Sequence, residues 1–163
     1  MPPPKANPDK PDHYILVTAK VDFEPCTTST QIVEALAKNR VWLASSFTPF
    51  RRDYKRGDRI LFYASGQGAR CFLGHSEVAG PTTDATAKDE KLAEQLGLDG
   101  FAERIPLTAV RLWQKPLQIR PLVQRLSFIT DKRNWGLHFR QAAVRIPGED
   151  FQIILQEGDS ANA

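Results

Sequence analysis

Two apolar runs separated only by a glycine-rich turn constrain this chain more than any other feature. Arg59–Ala64 (RILFYA) ends at Ser65-Gly66-Gln67-Gly68, and Arg70–Val78 (RCFLGHSEV) follows at once. So short a connection leaves no room for a crossover helix, so the two runs must pair as an antiparallel hairpin. Tyr14–Lys20 (YILVTAK) reads as an earlier strand. Thr28 with Gln31 has the pattern of a capping box, and Ile32, Val33 and Leu36 then share one helical face, which predicts a helix over about 29–38. The stretch VWLASSFTPFRRDYKRGDR, with Pro49 in it, reads as a loop with one helical turn. A second helix is predicted over 86–96, with Leu92 and Leu96 inward, acids in its first turns and Gly97 as its cap.

Ile105–Trp113 alternates as a strand that the Lys115-Pro116 step should bend or end. Pro121 suits the first position of a short helix carrying Leu122, Val123, Leu126 and Ile129. A loop, a strand over Ala142–Ile146 and a helical turn near Asp150–Leu155 complete the chain. Several consecutive strands lacking crossover helices predict an α+β domain with a mostly antiparallel, barrel-like sheet.

The 163 residues suit one domain with a single sizeable core. Residues 1–12 (MPPPKANPDKPD) are expected to form a disordered Pro-rich tail, and 156–163 (QEGDSANA) a disordered acidic one, because neither can bury enough to offset its ordering entropy. The folded domain is then 13–155. No run approaches the ~18 apolar residues of a membrane span and no signal peptide opens the chain, so the cytoplasm is the expected location. Cys26 and Cys71 are too few for a disulfide framework and read as inert small residues. Three histidines without ligand spacing argue against a metal, and no cofactor motif is present. GQG opens no helix, so it is a turn and not a phosphate cradle.

The formal net charge of +3 hides an uneven distribution. Glu149, Asp150, Glu157 and Asp159 face no Lys or Arg after residue 148, and residues 84–103 hold six acids against two lysines. The rest of the domain is strongly basic, as expected either of a protein with a polyanionic partner or of a plain solvated surface.

Three segments, GDRILFYASG, GARCFLGHSEVAG and LSFITDKRNWGLHFRQAAVRIPGEDF, resemble the signature segments of EVE domains, within the PUA-like superfamily. The resemblance runs from about residue 13 to 155. A more distant similarity, to the YTH readers of modified RNA, rests on Tyr14–Val17, the following helix, Val41–Ser46, and the strand pair over Tyr63–Gly74. The resemblance implies a PUA-like pseudo-β-barrel that reads a modified base in RNA or DNA.

From the residues alone, Trp42 with Ser45, Ser46 and Phe47 is equally a stacking wall for a base or a core tryptophan; the YTH similarity implies the wall. That similarity also implies that the strand end Thr18, Ala19 and Lys20 lines the site. Asn134, Trp135, Gly136 and His138 can approach or read a base, with Lys132, Arg133 and Arg140 on phosphates; the alternative is an aromatic staple. Arg51, Arg52, Lys55, Arg56 and Arg59, interleaved with Phe50 and Tyr54, resemble a basic rim for a single strand, or else a solvated turn. Since they follow Trp42, rim and wall are expected to adjoin. Tyr63 and Ser65 end a strand, and parity leaves Tyr63 open between site and core. Trp113 reads as core. YTH readers draw a second tryptophan from the region after the hairpin, where this chain has only Phe101; Trp135 or Phe47 replaces it, or the site is more open.

The sequence thus predicts a non-enzymatic reader of a modified nucleobase, partnered by nucleic acid, with oligomeric state undetermined. One alternative is an ASCH-like amidohydrolase acting on an acylated pyrimidine nucleoside through Lys20, Thr18 and Glu77; another is a small-molecule pocket.

Overall fold

The structure, a computed structural model, describes residues 10–163. In chain order it contains β1 (His13–Thr18), α1 (Ser29–Lys38), β2 (Val41–Ala44), β3 (Arg59–Ala64), β4 (Cys71–Val78), β5 (Thr83–Asp84), α2 (Ala87–Leu96), β6 (Glu103–Gln118), β7 (Ala143–Ile146) and α3 (Gly148–Ala161). Two 3₁₀ segments, Arg120–Arg125 and Trp135–Phe139, lie between β6 and β7. The seven strands form one curled half-barrel in the order β2-β6-β4-β3-β1-β7, with β5 beside β6. The sheet is mixed: β1 pairs β3 in parallel, and the other pairs are antiparallel.

β1 and β3 are apolar at nearly every position because both faces of the sheet are covered. Tyr14 and Leu16 join a core with α1, β2, Ile60 and Phe62, while Ile15 and Val17 join a second core with Leu61, Tyr63, Phe139 and α3. The capping box forms as predicted: Thr28 Oγ1 accepts from Gln31 N at 3.1 Å, and Gln31 Oε1 accepts from Thr28 N at 2.9 Å. Thr86 and Asp89 repeat the device at α2, which ends on Gly97 in the left-handed conformation, φ 74°.

Three expectations need correction, and one left open at Pro116 is narrowed. Val41–Ala44, placed in a loop, is a fully buried strand on the edge of β6. β6 does not stop at Pro116. Its register against β4 jumps between Gly74/Leu112 and Phe72/Leu117, and the proline falls in that irregular stretch, where its missing N–H deprives no ladder. The terminal turn is instead a 14-residue helix, so 156–161 are helical rather than a disordered tail. Gly158 makes this possible: a Cβ there would meet the Trp113 ring at 2.1 Å. Trp113 Nε1 also donates to Asp159 at 3.0 Å, and Asn162 exchanges hydrogen bonds with the Lys115 backbone. Finally, Asp12, assigned to the tail, is bound into the domain by Lys55 and Arg145; residues 1–9 of that tail lie outside the described residues.

Candidate functional site

Because β1 and β3 are parallel, their carboxyl ends emerge together, and a cavity of about 670 Å³ opens there. Thr18, Ala19 and Lys20 leave β1 on one side of it, and Ser65 leaves β3. The ends are tied: Ser65 N and Ser65 Oγ both donate to Thr18 O at 2.9 Å, and Ser29 Oγ at the head of α1 donates to Ser65 O at 2.9 Å. Ile32 and Leu36 of α1 and Trp42 of β2 build the apolar wall. The indole is 3% exposed and stacks on Phe62 at 5.6 Å, so one face is fixed by the core.

Further wall comes from chain not assigned to the site in sequence, although Phe101 lies in the region where the YTH similarity looks for a second aromatic. The β1–α1 loop docks on the end of α2, where Thr27 Oγ1 donates to Leu96 O at 2.7 Å and Pro25 lies 2.8 Å from where a Gly97 Cβ would be. That docking sets Phe23 and Asp22 facing Leu98, Asp99 and Phe101 across the opening. Phe139 closes the inner side, stacked on Tyr63 at 4.2 Å, and Arg140 and Gln141 follow it at the rim. The result is an aromatic and aliphatic chamber with polar groups at its edge, the usual build of a site for a flat, partly polar ligand.

Of the residues singled out in sequence, Thr18, Ala19, Lys20, Trp42, Ser65 and Arg140 meet at this cavity. The others do not. Ser45, Ser46 and Phe47 form a separate turn in which Ser45 Oγ accepts from Phe47 N and Thr48 Oγ1 accepts from Ser45 N; Phe47 is 91% exposed. Tyr63 faces the second core, where burial pushes its phenol pKa up. His138 Nε2 accepts from Asp131 N, and Asn134 donates to the Asp131 carboxylate, whose pKa these bonds lower. Trp135 borders a separate, smaller cleft.

The expected basic rim is also redistributed. Lys55 Nζ bonds Asp58 at 2.7 Å and Asp12 at 2.8 Å, Arg51 pairs with Glu103, and Arg59 lies 4.8 Å over the Phe151 ring. Arg51 is held at the start of β6, where Glu103 lies two residues beyond Phe101 of the cavity wall. Lys55 and Arg59, however, sit at the amino ends of β1 and β3, which the six-residue β1 separates from the cavity by roughly 17 Å. Arg52 and Arg56 are exposed there too. Lys132 is a structural cap, its ammonium donating to Val123 O at 2.9 Å and Leu126 O at 2.7 Å. Arg133 is exposed and does not line the cavity. Apart from Arg51, rim and wall therefore do not adjoin.

Residues 5–157 match the EVE domain family. The chain belongs to that family. A UPF0310 protein of Mycobacterium avium is 30% identical over 135 residues, 78% of this chain and 91% of that one. Another, from Pyrococcus abyssi, is 23% identical across 79% of this chain and 94% of its own. Among solved structures, human THYN1 in complex with DNA containing 5-methylcytosine superposes with a TM-score of 0.58 at 11% identity, covering 91% of this chain and 98% of THYN1. The ASCH protein of Zymomonas mobilis gives 0.56 at 10% identity, covering 89% and 94%. The EVE chain thus has the α+β PUA-like fold these proteins share.

The amidohydrolase set does not assemble on this EVE domain. Glu77 is paired with Arg59, which is paired with His13, at the far end of β1 from Thr18. Lys20 is 70% exposed and 3.2 Å from Asp22, so its ammonium keeps its water. Cys71 is buried, and burial raises its thiol pKa, which disfavours the thiolate a nucleophile needs. Among the described residues no group of three or more His, Cys, Asp or Glu could hold a metal ion, and no helix is long and apolar enough to cross a membrane.

Proposed function

We infer that this EVE domain is a non-enzymatic reader of a modified nucleobase in DNA or RNA, with the base held in the cavity between Trp42 and Phe139. The observation that carries this reading is the cavity itself: an aromatic chamber at the shared ends of β1 and β3, with small polar groups at its edge. Stacking on aromatic rings contributes ~1–3 kcal/mol per base, enough to offset the few kcal/mol lost when a base leaves its neighbours. Thr18, Lys20 and Ser65, with backbone amides at the strand ends, supply donors and acceptors for a base edge, and Arg140 supplies a cation for a phosphate. That human THYN1, of the same fold, has been seen on 5-methylcytosine-containing DNA favours nucleic acid as the partner.

The test is mass spectrometry of nucleosides released from nucleic acid that co-purifies with the protein, repeated with Trp42→Phe. A modified nucleoside enriched by the wild type and several-fold less by the variant is expected. Trp42→Phe is preferred to alanine because Trp42 is also core. Recovery of a free small molecule without nucleic acid would replace the reading with that of a small-molecule site.

A further inference from the structure

Beside the base cavity lies a second cleft of about 290 Å³, bordered by Gly68, Arg70, Gln118, Arg120 and Trp135. Two short connections join it to the first. Along β3, Ser65 faces the cavity and the Gly66–Gly68 turn delivers Arg70 to the cleft. Along the 3₁₀ segment Trp135–Phe139, its first residue borders the cleft and its last lines the cavity. The Trp135 and Phe139 rings meet edge to face, 6.3 Å between centroids, so a contacting pair of rings links the borders of the two spaces.

The cleft is basic and its cations are uncommitted. Arg70 and Arg120 are exposed, and neither has an ion-pair partner among the described residues. Arg70 also holds a conformation that costs a non-glycine residue energy, φ 55°, with its carbonyl accepting from Ile119 N at 3.2 Å. The hairpin could have placed glycine there, as it does at Gly66 and Gly68; it places a cation. Trp135, half-buried against Phe139, offers a flat apolar surface in the same cleft as the two arginines.

We propose that this cleft seats the nucleotide next to the held base, its base on Trp135 and its phosphate on Arg70 and Arg120, so that the unit recognised is a short single strand and not one nucleoside. The proposal rests on the reading of the main cavity as a base site. The stacking is sequence-tolerant, since every base has a π-face, and the arginines bind the backbone.

The test compares 5-methyl-2′-deoxycytidine with a thymidine trinucleotide carrying 5-methylcytosine at its centre, titrated at low salt. The wild type is expected to bind the trinucleotide about tenfold tighter or more. Trp135→Ala, and separately Arg70→Gly with Arg120→Ala, should bring that ratio towards one while nucleoside affinity stays as it was. Arg70→Gly is chosen because it removes the cation and relieves the backbone. Trp42→Phe weakens both probes together. A wild-type ratio near one, or a ratio that survives both sets of variants, overturns the cleft and leaves the base cavity standing. If the wild type binds neither probe, the base reading fails for 5-methylcytosine and the cleft is judged on unmodified tetrathymidylate. Binding lost in Trp135→Ala then supports it, and equal binding or none overturns it.

Discussion

The two ends of the parallel pair β1 and β3 treat charge in opposite ways. At the amino ends, Asp58 is wholly buried and accepts from Asp12 N, Lys55 N and Lys55 Nζ, while Asp12 bridges Lys55 and Arg145. Two of the five cations in the densest basic run of the sequence, Arg51 and Lys55, are thus ion-paired within the domain, and Arg59 lies over the Phe151 ring. At the carboxyl ends the cations are sparse in sequence, yet Arg70, Arg120 and Arg140 stand around open space. The contrast teaches that a charge run marks a ligand surface only when its partners are not already in the chain. Here the acids that neutralise 51–59 come from residues 12, 58 and 103.

The contrast can be broken most sharply at Asp58. Asp58→Ala leaves the Asp12 and Lys55 backbone amides without their acceptor and Lys55 with Asp12 alone, and is expected to cost about 3 kcal/mol in urea unfolding. Its effect on nucleic-acid affinity, measured on the folded fraction, should be nil; a loss there would move the binding surface to the amino ends.

A smaller effect sharpens the other side. Arg140→Ala should lower the slope of log affinity against log salt for a single strand by about one phosphate, whereas Arg52→Ala and Arg56→Ala should leave it unchanged. The reverse pattern would restore 51–59 as the rim.

Smaller again is a pH effect at Asp12. Burial pulls its carboxyl pKa up, but the hydrogen bonds from Lys55 and Arg145 outweigh that and hold it below the ordinary 3.8. A carboxyl depressed in the folded state stabilises fully above its unfolded pKa, and that stabilisation fades as pH falls through the folded one. Asp12→Asn should therefore flatten the loss of stability below about pH 4 in acid titrations followed by circular dichroism. At the bottom of the scale, Phe47→Ser should change stability by no more than about 0.5 kcal/mol and binding not at all, since the ring is 91% exposed and outside the cavity.

The fold was legible where a local device fixes it. Thr28 with Gln31, the Gly97 cap of α2, and the β3–β4 hairpin each act over a few residues, and each stands as the sequence predicts. β2 was hidden because four residues carry no period, and α3 because its second half lacks an apolar stripe and is held by Trp113 from 45 residues upstream. The site was half legible for the same reason. Thr18 and Ser65 lie on or directly after the strands they were read from, and Trp42 follows the helix it was read beside. Phe101 and Phe139 are brought to the cavity only by the docking of distant loops, which no spacing records. Trp135, which sequence groups with Trp42, borders the smaller cleft instead, because spacing does not show that Phe139 and not Trp135 reaches the cavity.

The Phe139 ring belongs at once to the second hydrophobic core and to the cavity wall. Its stacking on Tyr63 makes the shape of the chamber a by-product of folding cooperativity: this wall breathes only as fast as the domain itself opens. Deuterium should therefore enter the Phe139 amide at nearly the rate of the strand interiors, while the facing 97–101 segment exchanges early.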